Sequence, residues 1–206
     1  MRHSRADARK AGGPAHRIRI IGGRWKRTPL TVPDVAGLRP TPDRVRETLF
    51  NWLGRELDGL DCLDLFAGTG ALGLEAASRG AAQVLLVESD RRAVGAISSV
   101  MERLDAREVT LLRRDALSAI ADARDAGRRF DLVFLDPPFG QGWLERVLPL
   151  LPAVLAPGAR VYVESEAPLS ADVVARLLGP GWNLVRADSA GQVFYHLLRE
   201  TNSEKG

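Results

Sequence analysis

Leu63-Asp64-Leu65-Phe66-Ala67-Gly68-Thr69-Gly70-Ala71-Leu72-Gly73 runs from an apolar stretch through a glycine loop into a helix-forming segment. A short buried strand turning tightly into a helix is the opening half of a strand–helix–strand crossover. The pattern repeats on both sides of a growing sheet. Strands are expected at Leu60–Phe66, Gln83–Glu88, Glu108–Arg113, Phe130–Asp136 and Ala159–Glu164, separated by helical stretches at 71–79, 91–104, 116–126 and 142–155. After a further helix near 170–178 come Trp182–Asp188 and Gln192–Leu198, joined only by Ser189-Ala190-Gly191. Three residues cannot carry a parallel crossover, so this last pair is antiparallel. The expectation is an α/β fold: a doubly wound, seven-stranded sheet over residues 59–200 with an antiparallel last strand.

Bulk properties suit one soluble domain of 206 residues, 45% hydrophobic and 27% charged. The single cysteine, Cys62, excludes an internal disulfide and reads as a small buried hydrophobe in a reducing compartment. No apolar run nears the ~20 residues that span a bilayer, and no secretory h-region opens the chain. Charge is unevenly placed. Residues 1–55 carry 13 Lys/Arg against 4 Asp/Glu, a net +9, while residues 56–206 carry 16 against 22, a net −6. A basic amino-terminal quarter on an acidic body suggests a polyanion-docking arm joined to a working domain.

Within that arm, residues 1–16 are Arg/Ala/Gly-rich and aperiodic and read as a disordered basic leader. Arg17 to Ile21 and Arg24 to Val32 alternate around Gly22-Gly23, which predicts a β-hairpin. One face would carry Arg17, Arg19, Arg24, Lys26 and Arg27 with Trp25 among them, a set suited to RNA phosphates and a stackable base. The plainer alternative is a packed hairpin with an ordinary charged exterior. Thr41-Pro42 opens a helix, with Thr41 as its cap and Val45, Leu49, Trp52 and Leu53 as the buried stripe. Arg39 and Arg44 flank that start. Residues 17–58 thus form a hairpin and helix for RNA docking, and 201–206 a short tail.

Ligand chemistry gathers at the carboxyl edge of the sheet. The Gly68–Gly73 spacing fits G-x-G-x-x-G, so a dinucleotide must be considered. Asp64 argues for another ligand, since a carboxylate there repels a pyrophosphate and attracts a sulfonium or ammonium. Glu88 ends the second strand, placed to accept both hydroxyls of a ribose, a feature that suits a dinucleotide as well. Asp115 follows the third, either as an acceptor for an adenine amine or as the N-cap of the next helix. The fourth strand ends in Asp136-Pro137-Pro138-Phe139. Two prolines remove two backbone donors and stiffen the corner, leaving carbonyls without ladder partners. An acid, free carbonyls and a flat ring can together hold a planar amine. His3, His16 and His196 have no metal spacing.

Asp64-Leu65-Phe66-Ala67-Gly68-Thr69-Gly70 with Glu88, Asp115 and Asp136-Pro137-Pro138-Phe139 resembles the class I S-adenosylmethionine-dependent methyltransferases of amino nitrogens, with their Rossmann-like seven-stranded sheet. Arg19-Ile20-Ile21-Gly22-Gly23 and the stretch Leu38-Arg39-Pro40-Thr41-Pro42-Asp43-Arg44 through Leu53 resemble, more narrowly, the bacterial small-subunit (16S) ribosomal RNA guanine-N2-methyltransferase family. The likeness runs from about Arg17 to Glu200. It implies S-adenosylmethionine as cofactor, with Asp64 near its methionine amine and the Phe66, Ala67, Gly68, Thr69 and Gly70 backbone along the nucleoside. Glu88 then takes the ribose hydroxyls and Asp115 the adenine amine. Asp136 and the Pro137 carbonyl hold the guanine amine, Pro138 stiffens the corner and Phe139 stacks on the base. It further implies a cytoplasmic monomer acting on ribosomal RNA, bare or within an assembled subunit or precursor. A DNA adenine methyltransferase would share the Asp136 motif, a dinucleotide oxidoreductase the glycine loop, and a non-enzymatic RNA-binding module the basic arm.

Overall fold

The computed structural model describes residues 18–35 and 40–201. Arg17, Arg39, the 1–16 leader and residues 202–206 lie outside the described residues. A two-stranded antiparallel pair, β1 (Ile18–Arg19) and β2 (Pro29–Leu30), precedes helix α1 (Asp43–Leu53). The main run follows: β3 (Asp61–Asp64), α2 (Ala71–Ser78), β4 (Gln83–Glu88), α3 (Arg91–Leu104), β5 (Val109–Arg113), α4 (Ala116–Asp125) and β6 (Phe130–Leu135). Then come α5 (Trp143–Val147), a 3-10 helix (Leu148–Ala153), β7 (Leu155–Ser165), α6 (Ala171–Leu178), β8 (Trp182–Ala190) and β9 (Val193–Glu200).

The seven long strands form one sheet in the order β5-β4-β3-β6-β7-β9-β8. The strands β3 to β7 are mutually parallel, and β9 enters antiparallel between β7 and β8. The seven-stranded α/β expectation holds, with its antiparallel last strand. Chain direction away from the centre reverses between β3 and β6, so their carboxyl ends open a crevice where such sheets bind ligands. Asp64 pairs in register with Phe134, which brings the ends of these two strands side by side.

Both faces of the sheet are covered. Leu72 and Leu74 of α2, Ile97 and Val100 of α3, and Val45, Leu49 and Phe50 of α1 share one core with Ile18, Ile20 and Leu30. Ala119 and Ile120 of α4, Val147 and Leu151, and Val174 of α6 fill the other. Between the layers, Leu132, Val133, Phe134 and Leu135 are wholly buried. At roughly 1.5–3 kcal/mol per buried large side chain, β6 cannot shift register without great loss. Whatever stands at its end is rigidly placed.

Three local expectations change. The helix expected over 142–155 breaks after Val147, because Pro149 and Pro152 remove donors and force tighter turns. Strand β7 begins at Leu155 rather than Ala159 and shifts register against β6 before Arg160. The amino-terminal strands are only two residues each, and residues 21–28 form a loop instead of a long hairpin ladder. That loop is pinned to α2: Ile21 N and Gly22 N donate to the Glu75 carboxylate at 2.6 and 2.7 Å, and Trp25 N donates to Ser78 Oγ at 2.9 Å. Gly23 has φ +71°, and a Cβ there would fall 1.8 Å from Ser78 O. Only glycine permits this approach.

Candidate functional site

Asp64, the last residue of β3, is 1% exposed. Its Oδ2 accepts from Gly73 N at 3.1 Å, while its Oδ1 is buried without any partner. Burial pushes its pKa up to about 7, with the Glu88 and Glu164 charges adding to the rise and backbone donors opposing it. An orphaned carboxylate oxygen in a crevice calls for a donor, and a cationic one best. The loop beyond it is tightly built. Gly70 takes φ +77° at the start of α2, a left-handed turn that glycine adopts freely, and its N–H donates to Ala67 O at 2.6 Å. Ala67, Gly68, Thr69 and Gly70 are all buried, and Phe66 is half-buried with its ring edge-on to Trp143 at 5.3 Å.

Glu88 ends β4. Its Oε2 accepts from Gly68 N at 2.8 Å and its Oε1 from Asp90 N at 2.7 Å. It therefore locks the glycine loop to its own strand, and each oxygen keeps a lone pair for a hydroxyl. Asp115 caps α4, its Oδ1 accepting from Ser118 N at 3.0 Å, which holds its pKa below the usual carboxylate range. Oδ2 is not used by that cap, so capping and ligand binding are compatible.

Asp136 follows the last residue of β6. Pro137 is buried, Pro138 is exposed, and Phe139 is 41% exposed, one of few large apolar side chains so open. The corner borders a cleft of about 330 Å³ that also includes Trp143, Glu164, Ser165, Glu166 and Arg176. Gly140 N donates to the Glu166 carboxylate, tying the far side of the corner to the end of β7.

Sequence reasoning missed Thr41 as a site residue. It is not the helix cap: Pro42 takes the N-cap position of α1 without a side-chain bond. The buried Thr41 hydroxyl instead lies 3.1 Å from Asp136 Oδ2 and 3.0 Å from Glu164 Oε1. Glu164 was read only as a strand end, yet it is buried and accepts from Tyr162 OH at 2.9 Å. The signal was present: it is one more acid at the carboxyl edge that holds Asp64, Glu88 and Asp136. Burial, then the Glu164 charge, pushes Asp136 well above the ordinary carboxylate range, against the opposing Thr41 contact. Burial also raises Glu164, with Tyr162 and Thr41 opposing.

Among the described residues the basic side chains fall into two groups. Arg19 is exposed and pairs with Asp43 at 3.6 Å, and Arg44 is exposed on α1, so both stand near Thr41 and the crevice. Arg24 and Trp25 bond to Ser78 at the far end of α2, about 12 Å of helix from its start. Arg24 also pairs with Glu108 and lies 4.3 Å over the Trp25 ring, which packs on the core. The loop that carries Trp25 therefore sits at the opposite edge of the sheet from Asp136. Lys26 and Arg27 are exposed on that same loop. Among the described residues no cluster of three metal-ligating side chains exists, and no helix is long and apolar enough to cross a membrane.

The chain matches the model of a family described as conserved hypothetical protein 95 over residues 18–199. It is 45% identical over 190 residues to ribosomal RNA small subunit methyltransferase D of Escherichia coli, covering 91% of this chain and 92% of that one. The protein of the same name from Haemophilus influenzae is 37% identical over 187 residues, covering 88% and 93%. Among solved structures, yhhF of Escherichia coli, a candidate methyltransferase, superposes with a TM-score of 0.77 at 43% identity, covering 90% of this chain and 98% of that one.

Proposed function

The chain belongs to the family of ribosomal RNA small subunit methyltransferase D, and from that premise and the carboxyl-edge geometry we propose that it methylates the exocyclic amine, N2, of a guanine in small-subunit ribosomal RNA, with S-adenosylmethionine as donor. One observation carries this reading. The orphaned Asp64 oxygen and the Asp136-Pro137-Pro138-Phe139 corner stand on neighbouring strands at the point where the sheet reverses. One fits a cationic cofactor end, and the other fits a planar amine.

The donor fits the residues present: Asp64 Oδ1 would take its ammonium, the Phe66 to Gly70 backbone would line its nucleoside, and Glu88 would accept the ribose hydroxyls and Asp115 the adenine amine. When bound, it supplies a methyl group already activated on a sulfonium. The chain's own task is alignment and charge management. Asp136 and the Pro137 carbonyl accept from the two amine hydrogens, drawing the nitrogen toward tetrahedral geometry and aiming its lone pair. Positioning of this kind supplies roughly 7–11 kcal/mol in favourable systems. The Asp136 carboxyl oxygen also points its dipole at the positive charge that grows on nitrogen, an effect of about 3 kcal/mol when removed. Phe139, exposed at the mouth, stacks on the base. A guanine inside a helix cannot reach this corner, so the target is unpaired or flipped out. Arg19 and Arg44 near the crevice, and Lys26 and Arg27 farther away, grip flanking phosphates. The protein works as a monomer on RNA, either bare or in an assembled particle.

Transfer of labelled methyl from S-adenosylmethionine to small-subunit ribosomal RNA and to duplex DNA tests the reading, with mass spectrometry of nucleosides to locate the methyl. Label in N2-methylguanine from RNA is expected. Label in DNA adenine, or in neither polymer, refutes it. The Asp136→Ala protein should lose turnover while S-adenosylhomocysteine affinity stays within a few-fold.

A further inference from the structure

Thr41 has a single hydroxyl proton but stands within hydrogen-bond distance of two carboxyl oxygens, Asp136 Oδ2 at 3.1 Å and Glu164 Oε1 at 3.0 Å. It can donate to only one of them. The other contact is a hydrogen bond only if that carboxyl is itself protonated and donates to Thr41 Oγ1. Both contacts are satisfied when the pair carries one proton between its two acids, a state that the burial of both favours. Glu164 Oε1 already accepts from Tyr162 OH at 2.9 Å, which marks it as the anionic end. The arrangement that satisfies every group is then a directed chain: Asp136 donates to Thr41, and Thr41 donates to Glu164. Burial and the neighbouring Glu164 charge, which raise Asp136, agree with the proton resting there.

We propose, resting on the amine-methylating reading above, that Glu164 is the terminal proton acceptor of the reaction, connected to Asp136 by the Thr41 hydroxyl. The nitrogen lone pair becomes the new N–C bond while the donor's methyl C–S bond breaks and its electron pair returns to sulfur, so nitrogen takes over the positive charge that the sulfonium gives up. One N–H bond must then break, its electron pair returning to nitrogen. The proton enters Asp136 on Oδ1, the Oδ2 proton passes to Thr41, and the Thr41 proton passes to Glu164 Oε1. Asp136 ends as it began, neutral, and Glu164 ends protonated. No proton has to cross bulk water while the site is closed over the base.

The surroundings of Glu164 favour this role. Asp136 faces it from β6, Asp64 from β3, Tyr162 from its own strand and Tyr195 from the register position opposite on β9. His196 sits one register position along, beside Val163, and is engaged by Leu169 N. Among the described residues neither Asp136 nor Glu164 forms an ion pair with a Lys or Arg. An uncompensated buried anion between two hydroxyl donors is well prepared to take a proton. In this scheme Glu164 acts through Thr41 and Asp136.

Single-turnover methylation across pH, with enzyme in excess over RNA, tests the relay. The wild type should depend little on pH through the neutral range. Glu164→Gln and Thr41→Val should slow transfer about 10²-fold at the low end, as loss of a general base does, and recover with rising pH as Asp136 ionises alone. Thr41→Ser, which restores the hydroxyl, should restore a flat profile. RNA and S-adenosylhomocysteine affinities should stay within twofold throughout. Infrared difference spectra of the free protein give a reading independent of turnover: a protonated-carboxyl component at pH 7 that remains in Asp64→Asn and is lost in Asp136→Asn. Rates for Glu164→Gln and Thr41→Val equal to wild type, or a serine variant as slow as the valine one, overturn the relay, as does absence of the carboxyl band. An inactive wild type would instead sink the methyltransferase reading, so the two failures are separable.

Discussion

Replacing Asp64 with Asn should stabilise the protein above neutral pH while weakening its hold on the donor. Asp64 is 1% exposed, and its pKa is raised from 3.8 in the free amino acid side chain to about 7, with burial the largest cause. A raised acid favours the protonated folded state. Its contribution is therefore fully present at low pH and is lost as pH rises through about 7. Between pH 5 and pH 7 the folded state holds a proton that the unfolded chain has released, so stability falls by about 1.4 kcal/mol per pH unit, roughly 3 kcal/mol in all. Asn cannot ionise, keeps the Gly73 contact through its carbonyl, and escapes that loss. The difference between Asp64→Asn and wild type should thus grow by ~3 kcal/mol from pH 5 to pH 8. For a chain of this length that is about 6–12 °C in melting temperature. Urea unfolding at pH 5, 6, 7 and 8 reads it, other titrations cancelling between the two proteins. The same variant should bind S-adenosylhomocysteine at least tenfold more weakly, since the orphaned anionic oxygen is gone. A stability difference that does not change with pH would show that Asp64 is not held by burial as described.

Other perturbations separate framework from chemistry. Glu75→Ala removes the acceptor of Ile21 N, Gly22 N and Arg79 Nε and leaves the fully buried Arg46 without its Glu75 partner at 3.7 Å, so a loss of about 3–5 kcal/mol is expected in urea unfolding; a loss under 1 kcal/mol contradicts the network. Phe139→Ala should weaken RNA binding or turnover by about 1–3 kcal/mol, with melting temperature unchanged because the ring is exposed; full activity in that protein would remove the stacking role. Binding of ribosomal RNA should weaken steeply with salt, and Arg44→Ala should lower the slope of log affinity against log salt by about 1; an unchanged slope would place Arg44 off the RNA.

Much of the fold could be read from residues because each strand is a continuous apolar run and each crossover has its own punctuation. Gly68 to Gly70 marked one strand-to-helix turn, and the three residues after Asp188 forced an antiparallel pair. Features that depend on distant partners were hidden. Thr41-Pro42 has the local pattern of a capped helix start, but the hydroxyl finds two carboxyls 95 and 123 positions away, and those bonds prevail over capping. Arg46 falls outside the apolar stripe of its helix, yet it lies wholly buried between Arg19 O, Asp43 and Glu75. Trp25, flanked by cations, looked like a base platform; its partner is the carboxyl end of α2. Local sequence tells where the chain turns, whereas the partner of a side chain is decided by topology.

The carboxyl edge also bears on why the site suits one class of reaction. Asp64, Asp136 and Glu164 are three acids raised by burial, and the Glu164 charge raises the other two further. Such a group costs stability in the empty protein, as the Asp64 arithmetic shows. The cost makes sense where the contents are positive: a donor bearing ammonium and sulfonium charges, and an amine that becomes cationic as it is alkylated. An incoming pyrophosphate would raise these acids further and hold them neutral, leaving its own charge without a partner, whereas a cationic ligand draws them into their ionised form. The glycine loop alone admits either nucleotide. The charge behind the loop selects between them, and it does so through residues that a glycine-spacing motif does not contain.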